Sequence, residues 1–136
     1  MTGRIWVMLV ILASCYDAEP ADTPLKFFVI GDWGHMGSPN QTVVAHQMNT
    51  WAKSSEPRFI ISTGDNFYDT GVASTEDPHW EKSFEQVYNG DQLAKLPWYV
   101  VLGNHDHLGN PASEIQYHQK NPRWNLPAHY YTRVEA

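Results

Sequence analysis

Three short apolar runs, each closed by a glycine and then an oxygen-bearing side chain, set the pattern of this chain. They are Phe27-Phe28-Val29-Ile30 before Gly31-Asp32, Phe59-Ile60-Ile61 before Ser62-Thr63-Gly64-Asp65, and Trp98-Tyr99-Val100-Val101-Leu102 before Gly103-Asn104. Each run is rich in β-formers and too short for a stable helix, so each reads as a strand that leaves its sheet at the glycine step. The first strand is expected over residues 25–30. Ser38-Pro39 then predicts a helix N-cap with proline in the first turn, and Val44, Met48 and Trp51, flanked by Val43 and Gln47, predict its inward stripe. That helix should stop near Ser54-Ser55, ahead of Pro57. Asp77-Pro78 opens a second helical stripe of Trp80, Phe84, Val87 and Tyr88, closed by Asn89-Gly90. A short helical turn over residues 92–96, a helix over 111–119 and a last strand over 128–134, with Tyr130 and Tyr131, complete the expectation. Strand, helix, strand in that order implies a parallel pair with a right-handed crossover, and ligands in such sheets collect at the carboxyl ends of the strands. All three glycine-plus-donor steps lie at that end.

Residues 1–20 read as an export signal and spacer, in which Arg4 precedes the uncharged run Ile5-Trp6-Val7-Met8-Leu9-Val10-Ile11-Leu12-Ala13. That run is too short to cross a bilayer as a helix, which takes about 20 residues, so no transmembrane segment is expected. Ala13-Ser14-Cys15 suits ordinary signal cleavage, while Leu12-Ala13-Ser14-Cys15 also resembles a bacterial lipobox that would put a lipid anchor on Cys15. A buried N-terminal strand or helix is the less favoured alternative. Export implies a secreted, extracellular, periplasmic or lysosome-like location, or a lipid-anchored one if the lipobox is used. The folded domain is expected over residues 25–136.

Composition narrows the chemistry. With 9 basic and 15 acidic residues the net charge is −6, and no basic stripe exists, which argues against a nucleic-acid surface. Six tryptophans and seven tyrosines give the chain ample surface to bury, which argues against disorder. Cys15 is the single cysteine, so neither an intrachain disulfide nor a thiolate cluster can form. Any metal must be held by oxygen and nitrogen.

Asp32, Asp65, Tyr68 and Asn104 offer carboxylate, phenolate and amide oxygens at the strand exits, and His105 offers an imidazole. Hard oxygen donors suit Fe(III), Mn(II), Mg(II) or Zn(II). A phenol must lose a proton of reference pKa ~10 to become a ligand, and a trivalent neighbour favours that loss, which points to Fe(III). Two cations ~3.5–4 Å apart would offset both a phosphate monoester dianion and its attacker, and Asp65, on the middle exit, is the natural bridge. Taken singly, each residue is ordinary: an Asp turn, a Tyr rim residue, an Asn turn, a solvated His. Three donor-bearing exits in strand order argue for one shared site.

Gly31-Asp32-Trp33-Gly34, Gly64-Asp65-Asn66-Phe67-Tyr68 and Gly103-Asn104-His105-Asp106-His107-Leu108-Gly109-Asn110 resemble the first three signature blocks of the purple acid phosphatases. These are calcineurin-like metallophosphoesterases, and the likeness is to the small, tartrate-resistant type. The resemblance runs from about Lys26 to Tyr131 and implies an α/β fold, the βαβαβ half of a sandwich of two mixed sheets flanked by helices. It implies acid phosphatase hydrolysis of phosphate monoesters at a dinuclear centre of Fe(III) plus a divalent metal, Fe, Zn or Mn. Asp32 and Tyr68 would bind Fe(III), Asp65 would bridge, and Asn104 would bind the divalent ion. His105 would contact the phosphoryl group and protonate the leaving alcohol, with Asp106 tuning it.

The family's site is completed by three histidines from later blocks, and its Gly-His-x-His block does not occur within these 136 residues. The resemblance therefore implies a truncated N-terminal portion whose own activity is doubtful. Among the other histidines, His35 and His107 lie in exit loops and are the candidates for supporting or makeshift ligation. His46 is expected on the solvent side of its helix, and His79, His118 and His129 are distant in sequence from the exits. The competing readings are a non-catalytic secreted or lipid-anchored binding module, and a phosphoesterase acting on diesters or nucleotides.

Overall fold

A computed structural model describes residues 24–135; the expected leader, residues 1–20, lies outside them. Four short parallel strands, β1 (Phe28–Ile30), β2 (Ile60–Ser62), β3 (Trp98–Val100) and β4 (Trp124–Asn125), stand side by side in chain order. Ile30 is level with Ser62, and Ser62 with Val100. The three glycine steps therefore leave the sheet at one rim, with the Asp65 exit in the middle. The expected parallel α/β arrangement is present, and β1 begins three residues later than the apolar pattern suggests.

Burial alternates along the strands as the pleat requires: Ile60, Ser62, Trp98 and Val100 are buried, whereas Ile61 and Tyr99 are half-buried. The buried face rests on an aromatic core of Trp33, Phe67, Trp80, Phe84, Tyr88, Trp98 and Trp124. Trp33 is the hub of this core. Its ring lies 5.2 Å from both Phe67 and Trp98 and 5.5 Å from Tyr88, at the steep angles that aromatic quadrupoles prefer. The second helical stripe is confirmed, with Trp80, Phe84 and Tyr88 all buried, but its central turn, Trp80–Glu85, is wound as a π-helix. Asp77, just ahead of it, accepts the N–H groups of His79 (2.9 Å) and Ala73 (2.8 Å) and so ties the preceding loop to the start of the helical segment.

Helix α1 (Pro39–Ser55) connects β1 to β2, and its inward face differs from the expected stripe. Gln41, Ala45, Met48 and Ala52 are buried, while Val43, Val44 and Trp51 are 62%, 46% and 61% exposed. Of the expected stripe only Met48 points inward. The alanines present little bulk to the core, and Gln41 is matched by polar partners: Oε1 accepts from the N–H groups of His35 and Gly37, and Nε2 donates to Ser83 O. Ser38 holds the N-cap position without a capping bond from its hydroxyl.

The last strand is also placed differently. β4 is the two-residue segment Trp124–Asn125, followed by Leu126-Pro127, and residues 128–134 form no strand. Trp124 is fully buried, and its indole N–H donates to Glu114 O at 2.9 Å, which pulls this point of the chain into the sheet. Further on, the Tyr131 hydroxyl bonds to Val100 O and Asn125 O, 3.0 Å each, so the segment crosses the β3 and β4 carbonyls instead of pairing with them. The expected helix appears as α2 (Pro111–Gln116) and a tighter turn, Tyr117–Gln119.

Candidate metal centre

The exits of β1 and β2 are built alike. Asp32 and Asp65 both follow glycine and both sit in the left-handed region, with φ of 55° and 50°. A residue with a Cβ is uncommon there and costs about 1–3 kcal/mol, a strain that tends to collect at functional sites. The two steps are tied together by the Asp32 N–H, which donates to Gly64 O at 3.2 Å. The β3 exit is pressed against them: a Cβ on Gly103 would overlap both Oδ1 and the backbone nitrogen of Asp65. Only glycine permits that approach.

Tyr68 closes the site. Its hydroxyl lies 2.5 Å from Asp32 Oδ1 and 3.1 Å from Asp65 Oδ2, so a phenol and two carboxylates from neighbouring exits meet at one point. The bond to Asp32, then desolvation, then the bond to Asp65 hold the phenol pKa well above its usual value. The other oxygen of Asp65, Oδ1, accepts the backbone N–H of His105 at 2.9 Å, which links the β2 exit to the β3 exit. Asn104 lies between these contacts, exposed, immediately after Gly103.

Two imidazoles lie against the phenol ring. His35 stacks on Tyr68 with centroids 4.4 Å apart and planes 9° apart, and His105 lies at 4.4 Å with a 43° tilt. His105 Nδ1 is 2.5 Å from the carbonyl of Asp69, which can only accept, so Nδ1 carries a proton and Nε2 is the other working nitrogen. Asp106, the next residue, has its hydrogen bonds elsewhere. It is fully buried, and its carboxylate accepts backbone N–H groups, an arrangement set by tertiary packing that adjacency in sequence does not reveal.

The remaining histidines divide as follows. His107 stacks on His129 at 6.2 Å, and His46 and His118 are exposed. His79, distant in sequence, packs its ring 5.7 Å from Phe67 with Nδ1 3.0 Å from Ser83 Oγ, and burial lowers its pKa. Among the described residues no group of three or more His, Cys, Asp and Glu side chains is disposed to hold a metal ion; the convergent donor set depends on a tyrosine. Sequence reasoning passed over Asn66 and Glu114, both buried below the rim. Asn66 was within sight, inside the Gly-Asp-Asn-Phe-Tyr block, whereas no local pattern marks Glu114.

The parallel sheet thus brings carboxylates, a phenol and an imidazole together at one rim. Residues 25–135 match the family model of the calcineurin-like phosphoesterases, and the chain belongs to that family. It is 41% identical over 140 residues to tartrate-resistant acid phosphatase type 5 of Rattus norvegicus, a match covering 96% of this chain and 41% of that protein. It is 48% identical over 99 residues to purple acid phosphatase 17 of Arabidopsis thaliana, covering 71% of this chain and 29% of that one. The chain thus spans about two-fifths or less of the length of these curated relatives. A solved structure titled "GAP50 the anchor in the inner membrane complex of Plasmodium" superposes with a TM-score of 0.72 at 32% identity, over 79% of this chain and 35% of that one.

Proposed function

We propose that this chain carries the ligand-bearing rim of a phosphate-monoester hydrolase of the acid phosphatase type. In this reading Asp32 and Tyr68 would hold Fe(III), Asn104 would hold a divalent ion, Fe, Zn or Mn, and Asp65 would be shared between the two. The observation that carries it is the Tyr68 hydroxyl set between the carboxylates of Asp32 and Asp65. The donor set fits such a centre: two carboxylate oxygens lie 2.5 and 3.1 Å from one phenolic oxygen, and a cation held by all three would take the place of the phenolic proton. Displacing that proton calls for strong positive charge, which favours a trivalent ion. When bound, the metals supply positive charge against the phosphate dianion.

The other tasks fall to the chain's own side chains. His105 keeps its Nδ1 proton on Asp69 O, so Nε2 is the atom that would carry the second proton of the imidazolium and give it to the departing alcohol, leaving the neutral ring. Asp65 holds the His105 N–H, which keeps the bridging carboxylate and the proton donor in fixed relation. The acid phosphatase names of the relatives support the reaction class. The test loads the chain with Fe(III) and Zn(II) and records the tyrosinate-to-Fe(III) visible band and the hydrolysis of an aryl phosphate. The band is expected in the wild type and absent in Tyr68→Phe. A colourless wild type counts against this chain holding the site, though not against its family, a band that survives in Tyr68→Phe refutes the ligand assignment, and parallel assays with a diester and a nucleotide separate the substrate classes.

A second reading has one observation of its own, the likeness to a protein whose title calls it an anchor. It makes the chain a non-catalytic binding module, secreted or lipid-anchored through Cys15. That reading predicts a monodisperse, cooperatively folding protein that neither needs nor takes up iron. Mass spectrometry of the exported protein distinguishes a cleaved leader from a lipidated Cys15.

A further inference from the structure

Beneath the rim lies a polar cluster that the proposed chemistry does not use. Asn66, Asp106 and Glu114 are each 0% exposed, and they come from the β2 exit, the β3 exit and α2. Asp106 Oδ1 accepts the backbone N–H groups of Asn66 (2.9 Å) and Phe67 (3.2 Å). Oδ2 accepts the Gly103 N–H (2.8 Å) and the side-chain amide of Asn66 (3.0 Å). The same amide nitrogen reaches Val101 O (3.0 Å) and Glu114 Oε2 (3.2 Å). Asn66 Oδ1 accepts the Ser62 hydroxyl at 2.5 Å, and that hydroxyl oxygen accepts the indole N–H of Trp33, from the β1 exit, at 2.9 Å.

The sequence positions of these bonds matter. Asp65 and Tyr68 flank the two residues whose N–H groups Asp106 takes, and Asn104 and His105 lie between Gly103 and Asp106 itself. One carboxylate therefore joins two loops whose residues are about forty apart in the chain. We infer that Asp106 is a positioning residue: by accepting the N–H groups of Asn66, Phe67 and Gly103 it sets the spacing between the Asp65–Tyr68 pair and the Asn104–His105 pair, with Asn66 and Glu114 backing it from below. A carboxylate is needed here because a side-chain amide offers only one accepting atom to donors approaching from two loops.

The inference rests on the proposed site, but its test uses no metal and no substrate, so its failure is distinct from a missing visible band. The measurement is residue-resolved native-state amide exchange on the whole chain, wild type against Asp106→Asn. Exchange at Asn66, Phe67, Gly103 and His105 should accelerate by about tenfold or more, the loss expected of a charge-assisted bond, while Ile60 and Trp98 in the strands keep their rates. The His105 imidazole resonances should shift as well. Glu114→Gln, which leaves the acceptors of Asp106 in place, should keep all four amides protected. Uniform acceleration across the sheet, or an unchanged His105 amide, overturns the inference. If Asp106→Asn does not fold, the wild type decides: Phe67 and Gly103, which share one carboxylate, must open with the same free energy and the same denaturant dependence, and a clear difference between them overturns it.

Discussion

Replacing Glu114 by glutamine should stabilise the protein, and by an amount that depends on pH in a calculable way. Glu114 is fully buried, its Oε1 has no hydrogen-bond partner, and Oε2 shares the Asn66 amide with Asp106. Burial first, and then the neighbouring Asp106 charge, push its pKa up to about 9 from the ordinary 4.5. Below pH 4.5 the folded and unfolded chains both hold the proton, so the contribution of the group is fully present. Between there and about pH 9 only the folded chain holds it, so unfolding releases a proton and wild-type stability falls as pH rises. Glutamine keeps the shape of the neutral acid and releases nothing. At ~1.4 kcal/mol per pH unit, the interval from pH 4.5 to pH 7 makes the glutamine variant about 3 kcal/mol more stable at neutrality. Urea unfolding followed by tryptophan fluorescence, at several values from about pH 4 to about pH 8, gives the difference directly. It should start near zero and grow with that slope. A glutamine variant that is less stable at every pH, or a difference that does not change with pH, would refute a neutral Glu114.

Two other substitutions test parts of the fold. The C-cap of α1 is Glu56, held in the left-handed region at φ 51°. Glu56→Gly removes that strain and a carboxylate at the negative end of the helix, so it should gain about 1 kcal/mol, read as a rise in thermal midpoint. Trp124→Ala should cost about 3–5 kcal/mol in urea unfolding, because the ring is fully buried against Trp80 and Phe84 and its N–H serves Glu114 O; a cost under about 1 kcal/mol would mean that the site collapses around the missing ring.

The rim was legible because its signals are local. A β-rich run, a glycine and a donor identify a strand exit within a few residues, and strand-helix-strand order then forces the exits to one end of the sheet. What escaped was decided by packing between distant segments. On α1 the inward positions are held by Ala45, Ala52 and Gln41, so a search for bulky apolar residues selected Val43, Val44 and Trp51 on the outer side. β4 has only two residues and no alternation to detect; Trp124 sits there because of where its indole fits. Asp106 was visible as part of its block, but its role depends on N–H groups some forty residues earlier, which no window of sequence reveals.

The order of the strands across the sheet also bears on how the rim is assembled. Because each of the four described strands adds to the outer edge left by the one before it, none of these four has to wedge between two already paired, and the growing chain can lay this part of the sheet down in the direction of synthesis. The residues of the first two exits, Asp32, Asp65 and Tyr68, are all made before β3 leaves the ribosome, so their oxygens can gather early. Asp106 follows later in the chain and takes the N–H groups of Asn66 and Gly103, so the β3 exit joins an arrangement that the first two exits have already begun.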